Sequence, residues 1–356
     1  AVKKVKVYMC LMAAGMVIMS GCGSSDNENA ADSGNTLVVF NYGDYIDFTT
    51  IEMFEKETGI HVEYEQYVTP EDMYTKYQSG NIPYDLICTS DYMVEKMIRN
   101  GEAKKIDKTS MEYYENLDPT YLEFCRAFDA ENEYAVPYFW GTVGILYNTE
   151  MVEEEVDSWD ILWDEKYENQ IIMENSMRDA FEVPLKWKGK SLNTTDEEEL
   201  REAQALLMEQ KKMVMAYMVD ESRDAMIAGD AALAVIYSGD ATAAMEANEN
   251  LDYVVPEEGS NIWFDCWMIP DSCKHQENAQ KFIDFMNRED IARINFDYVY
   301  YGTPNKALYE SLDEETKEDY TIFPAESTLE KCEVYKYLGS EIESFYNQLW
   351  KELKAN

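Results

Sequence analysis

Histidine is nearly missing from this 356-residue chain: His61 and His275 are the only two. That removes the commonest general base and the commonest nitrogen ligand for metals from most of the molecule. His61 falls on the polar side of an alternating segment and His275 in a polar turn, so both are expected at the surface. Positive charge is scarce as well. The chain holds 30 Lys and Arg against 71 Asp and Glu, for a formal net charge of −41. Such a surface repels nucleic acid and anionic lipid headgroups, and it attracts small polycations over a range that salt limits. No C-x-x-C spacing occurs among Cys88, Cys125, Cys266, Cys273 and Cys332. Cys266 and Cys273 are close enough in sequence to pair across a turn, but buried free thiols are the expected state. A Gly-rich phosphate loop, G-x-S-x-G and H-E-x-x-H are all absent. Carboxylates are so numerous that no pair stands out as the acids of a hydrolase.

Long apolar runs are also few, and the longest is at the front. Lys3, Lys4 and Lys6 precede an apolar stretch from Val7 to Met19 that is too short to remain as a membrane span. Met19-Ser-Gly-Cys22 follows and resembles the lipobox of bacterial lipoproteins, in which the Cys is acylated. Residues 1–21 therefore read as a lipoprotein signal peptide, with Cys22 as the lipidation site. Residues 22–35, rich in Ser, Asn, Asp and Gly, read as a disordered tether. The implied location is exported, lipid-anchored to the outer face of the cytoplasmic membrane or periplasmic.

The rest alternates strands and helices. Thr36 to Asn41 is a β-rich run that ends in the polar loop Tyr42-Gly-Asp-Tyr45. A helix is predicted from about Thr50 to Thr58, stopped by Gly59, and then a strand through Ile60, Val62 and Tyr64. Thr69, Pro70 and Asp72 provide a cap, a first-turn Pro and a first-turn acid for a helix that stops at Gly80. Tyr84 to Cys88 reads as a buried strand leading into Ser90-Asp-Tyr92, with a helix from Val94 to Arg99. Short joins between such units imply a mostly parallel sheet with ligand-binding loops at the carboxyl ends of its strands. Tyr134 to Tyr147 reads as a strand that crosses into a second lobe, and Trp263 to Pro270 as the return crossing. Thr195 and Glu198 have capping-box spacing, and Ala231 to Ile236 is a buried strand. Apolar residues recur at helical spacing around Ala279 and around Ile342 to Leu353.

Trp263 and Asp265 stand two residues apart, so an extended backbone turns both to one side. An indole face and a carboxylate together suit a small organic cation. Tyrosine is abundant, with 27 residues. Tyr42, Tyr45, Tyr92, Tyr237, Tyr300 and Tyr301 all fall in segments assigned to the cleft side of the sheet.

The segments Phe40 to Tyr45, Tyr84 to Tyr92, Val136 to Gly141, Trp159 to Trp163, Trp263 to Pro270 and Tyr301 to Asn305 resemble, in order and spacing, the substrate-binding proteins of bacterial polyamine (spermidine/putrescine) ABC transporters. The resemblance runs from Thr36 to Lys354. It implies an α/β, two-lobed periplasmic-binding-protein-like fold of type II. Each lobe is a mixed, mostly parallel sheet flanked by helices, and crossing strands join the two. Lobe 1 would comprise residues 36–140 and 264–309, and lobe 2 residues 141–263 and 310–356. The resemblance further implies a non-catalytic, monomeric receptor without cofactor or metal, which hands a polyamine to an ABC permease. By position, the cation site falls on Trp263 and Asp265, the aromatic box on Tyr42, Tyr45, Tyr92, Tyr237 and Tyr301, a polar contact on Ser90 and a second acidic anchor on Asp179. Ser176 stands where spermidine binders carry a further acid, which makes putrescine a candidate beside spermidine. Glu174 is a candidate to compensate. A polar amide near the C-terminal segment falls on Cys332, with Glu333 adjacent. The alternatives are a ferric-ion receptor using Tyr300 and Tyr301, a thiamine or sugar receptor of the same fold, and a carboxylate-based hydrolase.

Overall fold

The structure is a computed structural model that describes residues 34–219 and 221–355. The expected leader, Cys22 and nearly all of the tether lie outside the described residues.

The chain opens with three strand–helix units. β1 (Thr36–Tyr42) lies between β2 (His61–Tyr67) and β3 (Leu86–Ser90), parallel to both. α1 (Phe48–Thr58) ends on Gly59 at φ 71°, a left-handed conformation that glycine adopts without a Cβ clash. α2 (Pro70–Ser79) begins as its cap spacing predicts, with Thr69 Oγ1 accepting from the Asp72 N–H. α3 (Asp91–Arg99) follows β3 without a connecting loop. β4 (Ala103–Lys104) and α4 (Pro119–Cys125) come next.

β5 (Ala135–Asn148) is the hinge of the architecture. The remaining strands are β6 (Ile171–Glu174), β7 (Val214–Met218), β8 (Leu233–Tyr237), β9 (Leu251–Val254) and β10 (Ile262–Pro270). The sheet order is β2-β1-β3-β10-β5-β8-β6-β7, with β4 added on β10 and β9 on β5. Pairs on the two flanks are parallel, and the pairs made by β5 and β10 are antiparallel. β5 pairs with β10 from Ala135 to Thr142 and with β8 from Val143 to Tyr147, so one strand serves both halves of the sheet. Pro137, which has no N–H to give the ladder, lies opposite Cys266, while Phe139 lies opposite Asp265. Tyr138 is thus the extra residue of a bulge set against Asp265.

Seven helices cover the sheet or pack near it: α5 (Met177–Trp187), α6 (Glu197–Gln210), α7 (Glu221–Ala228), α8 (Ser238–Ala247), α9 (Gln276–Asn287), α10 (Glu289–Val299) and α11 (Lys306–Ser311). There are two hydrophobic cores. One gathers Phe40, Phe54, Trp267 and Phe282, and the other Trp159, Phe181, Leu200 and Tyr346.

Four local expectations change. Residues 310–325, expected with the second lobe, pack on the first core: Phe323 lies 6.2 Å from both Trp140 and Phe296 and covers their apolar faces. The terminal helix Ser340–Ala355 joins the second core through Tyr346, Leu349 and Leu353, and Tyr335 and Leu338 just before it pack there too. α6 is capped by Asp196 rather than Thr195, because the Asp196 carboxylate accepts from the N–H groups of both Glu198 and Glu199. Tyr92 sits in the first turn of α3, not in a loop. His275 is not a surface residue, since its Nδ1 lies 2.9 Å from Oδ2 of the buried Asp85. Cys88, Cys125, Cys266, Cys273 and Cys332 are all buried free thiols.

Asp85 also accepts from the N–H groups of Val38, Lys274 and His275, so one carboxylate ties β1 to the start of α9. Asp85→Ala strands these donors in a dry site and is expected to lower the unfolding free energy by about 2–4 kcal/mol. Urea denaturation checks this, and an unchanged midpoint contradicts it.

Candidate functional site

β6 and β8 run opposite to β1 and β3, so the carboxyl ends of the two pairs meet from opposite directions at the middle of β5 and β10, where Ser90 lies opposite Asp265 and Tyr237 opposite Val143. The site is therefore assembled by topology from residues far apart in sequence.

One end is built around Asp265. Tyr45, on the loop after β1, donates from its hydroxyl to Asp265 Oδ2 at 2.6 Å. Tyr42 packs edge-on against Tyr45 at 5.4 Å and tilts against Tyr67 at 4.5 Å. Burial lifts the Asp265 carboxyl to about 6, against the pull of the Tyr45 and Tyr42 hydroxyls that hydrogen-bond to it. Ser90 caps the start of α3 directly across from Asp265. Tyr92 is 43% exposed and donates to Glu71 Oε1 at 2.8 Å, which puts it on the rim.

The middle is aromatic. Trp263 and Tyr301 meet edge to face, with centroids 4.9 Å apart and planes at 82°. Trp263 Nε1 is buried with no hydrogen-bond partner among the described residues. Two glycines make this packing possible. A Cβ on Gly141 would lie 2.3 Å from the Trp263 indole, and one on Gly239 would lie 2.2 Å from the Tyr301 ring. Tyr300 does not join its neighbour: it caps α10 at φ 61° and stays 41% exposed, while Tyr301 enters the box. The two phenols therefore do not present themselves together, as a ferric site would require.

The other end holds two acids where one was expected. Asp179 lies in the first turn of α5, after Ser176 at the cap. Tyr237, at the end of β8, donates to Asp179 Oδ2 at 2.6 Å. Glu182 lies three residues on, so it shares the helix face with Asp179. Glu182 accepts from Ser260 Oγ at 3.2 Å and from the Asn261 N–H at 3.0 Å. The Tyr335 hydroxyl is 2.9 Å from Asp179 Oδ1 and 3.0 Å from Glu182 Oε2. A hydroxyl carries one hydrogen, so both contacts are favourable only when one carboxyl is itself protonated. Burial first, and then the charge of Asp179, push the Glu182 carboxyl well above the usual carboxylate range, which favours its protonated form.

The other sequence candidates differ. Glu174 is buried at the end of β6, and its charge helps to raise the Tyr237 hydroxyl, after burial and Asp179. Glu333 is not an open acceptor. Its carboxylate is taken by Lys186 Nζ at 2.6 Å, Ser191 Oγ at 2.6 Å and the Leu192 N–H at 3.0 Å. Cys332 is buried, and the C-terminal polar contact comes instead from Tyr335. Sequence reasoning missed Glu182 and Tyr335. The i, i+3 spacing from Asp179 was a usable signal for Glu182, whereas Tyr335 lies in irregular chain with none. No helix among the described residues is long and apolar enough to cross a membrane, and no group of three or more His, Cys, Asp or Glu among them is placed to hold a metal ion.

A mixed sheet with aromatic and acidic side chains gathered where its strand ends meet is an arrangement suited to a solute receptor. Residues 49–325 match the family described as bacterial extracellular solute-binding protein, and the chain belongs to that family. Among its relatives is the spermidine/putrescine-binding periplasmic protein of Escherichia coli, 35% identical over 329 residues, covering 91% of this chain and 93% of that one. The putrescine-binding periplasmic protein PotF of the same organism is 29% identical over 338 residues, covering 90% and 91%. The crystal structure of the spermidine/putrescine ABC transporter substrate-binding protein PotD from Streptococcus pneumoniae, in complex with calcium and HEPES, superposes with a TM-score of 0.86 at 39% identity, covering 90% of this chain and 99% of that one.

Gly239 lies in the first turn of α8, where alanine is a better helix former than glycine. Gly239→Ala is expected to displace the Tyr301 ring and change the near-ultraviolet circular dichroism, with the thermal midpoint unchanged or slightly raised. An unaltered spectrum would show that the ring does not rest on this glycine.

Proposed function

We propose that the chain captures a polyamine, spermidine or putrescine, between two lobes and delivers it to an ABC permease. The observation that carries this reading is a pair of acidic ends separated by an aromatic wall. Neither Asp265, Asp179 nor Glu182 is ion-paired with a lysine or arginine among the described residues; tyrosine hydroxyls cover them instead. Neutral donors compensate buried carboxylates only partly, so the chemistry of these groups suits a cationic ligand. One ammonium binds Asp265 beside Tyr45, and the other end of the ligand meets Asp179 and Glu182. Trp263, Tyr42, Tyr237 and Tyr301 enclose the methylenes, while Ser90 and Tyr92 line the rim.

The serine at 176 no longer argues against spermidine, because Glu182 supplies the second acid one turn further along α5. Lobe 1 is read as residues 36–140 and 264–325, and lobe 2 as 141–263 with the terminal helix. The role is binding rather than catalysis, by a monomer tethered to the membrane through a lipid on Cys22. The lipobox-like tetrapeptide supports the anchor, and the names borne by the relatives support the ligand class and the permease partner.

Calorimetry with putrescine, cadaverine, spermidine and spermine tests the assignment. Asp265→Asn is expected to weaken polyamine binding by about tenfold or more, since each 1.4 kcal/mol is about a factor of ten. Unchanged affinity would remove Asp265 from the site, and no response to any of the four amines would remove the ligand class.

The pH dependence has two opposite signs. A cation needs Asp265 ionised, so affinity is expected to fall as pH drops below about 6. The unliganded fold behaves the other way. A raised carboxyl contributes stability that is fully present below its unfolded value of 3.8 and is lost as pH rises through about 6. Asp265→Asn should flatten both profiles, and titration of affinity and thermal midpoint against pH reads them separately.

A further inference from the structure

α3 touches the structure that serves each end of the site. Asp91 Oδ2 accepts from the Phe264 N–H at 3.1 Å, on β10 between Trp263 and Asp265. One turn on, Glu95 is buried, and its two oxygens have separate tasks. Oε1 accepts from Arg99 Nε at 3.1 Å and Nη2 at 2.7 Å, and Oε2 accepts from the Tyr337 N–H at 3.1 Å. The Arg99 guanidinium also lies 5.0 Å over the Tyr337 ring.

Tyr337 ends a strap of irregular chain, residues 333–337, that carries Tyr335. The rest of the strap is tied to the opposite wall. Glu333 is held by Lys186, Ser191 and the Leu192 N–H. Asn193 donates to the Val334 carbonyl at 2.9 Å and accepts from the Lys336 N–H at 2.7 Å. Arg178 donates to the Lys336 carbonyl at 3.2 Å and lies 4.4 Å over the Tyr335 ring. The strap thus rides with α5 and the chain after it, and the Glu95–Tyr337 bond joins it to the helix on the Asp265 side.

We propose that Glu95 is a positioning residue for ligand retention: by accepting the Tyr337 N–H it clasps the strap across the cleft and holds the Tyr335 hydroxyl on the Asp179–Glu182 pair while ligand is bound. The inference rests on the polyamine reading above. Glu95 touches no ligand. It acts at two removes, from carboxylate to the backbone of residue 337 and from there to the side chain of residue 335. A clasp that closes over bound ligand slows escape more than entry, so its loss appears in the dissociation rate.

Stopped-flow measurements with spermidine on the full chain test this. Glu95→Ala is expected to raise the dissociation rate about tenfold, with the association rate within about twofold of wild type. Arg99→Ala removes the ion pair but leaves the acceptor for Tyr337, and Glu95→Gln retains an acceptor; both are expected to stay within about threefold. In the unaltered protein, spermidine should slow hydrogen exchange at the Tyr337 amide by about tenfold or more, a reading independent of how any variant folds. An unchanged dissociation rate in Glu95→Ala, an equal rise in Arg99→Ala, or no ligand-dependent protection at Tyr337 overturns the proposal. Asp179→Asn and Tyr335→Phe separate the two levels. If they weaken spermidine binding and Glu95→Ala does not, the clasp alone fails. If they too leave binding unchanged, the polyamine site fails and the clasp with it.

Discussion

Three buried acidic side chains, none of them paired with a lysine or arginine among the described residues, govern the site. A carboxylate withdrawn from water loses hydration that a phenol hydroxyl restores only in part. Tyr45 on Asp265, Tyr237 on Asp179, and Tyr335 between Asp179 and Glu182 supply that part through their hydroxyls. The scaffold around them is correspondingly overdetermined. β5 and β10 cross antiparallel in the middle of the sheet, a bulge at Tyr138 sits against Asp265, and glycines at 141 and 239 let the aromatic wall close up.

Much of the fold was legible in local patterns. Thr69, Pro70 and Asp72 specify a helix start through their own backbone chemistry, and Gly59 and Gly80 specify stops because only glycine takes the left-handed turn freely. The long run from Tyr134 to Tyr147 was legible as one crossing strand because it is buried on both faces and so carries no alternation. The two-residue spacing of Trp263 and Asp265 marked both as candidates for one side of the strand that β10 forms. Other features depend on contacts remote in sequence. Nothing near His275 announces that Asp85, 190 residues away, buries it. Phe323 is drawn to the first core by Trp140 and Phe296, which no local pattern reveals.

The acid pair shows where inference by position strains. The family spacing points three residues before Asp179, to Ser176, whereas the second acid lies three residues after it, on the same face of α5. A helix permits either direction, since i−3 and i+3 are equally near neighbours. The same displacement recurs at the C-terminal contact, where Tyr335, not Cys332, reaches the site. In both places a count along the chain is ambiguous, and a hydrogen bond decides.

The lone hydrogen of the Tyr335 hydroxyl has a thermodynamic consequence. It lies within reach of both carboxyls, an arrangement favourable when one of them is protonated, and the upward push on Glu182 makes that the group suited to it. A cation placed beside this pair pulls the Glu182 carboxyl back down, so binding there couples to the loss of whatever proton the pair holds. The heat evolved on capture then includes the ionisation enthalpy of whichever buffer takes up the released proton.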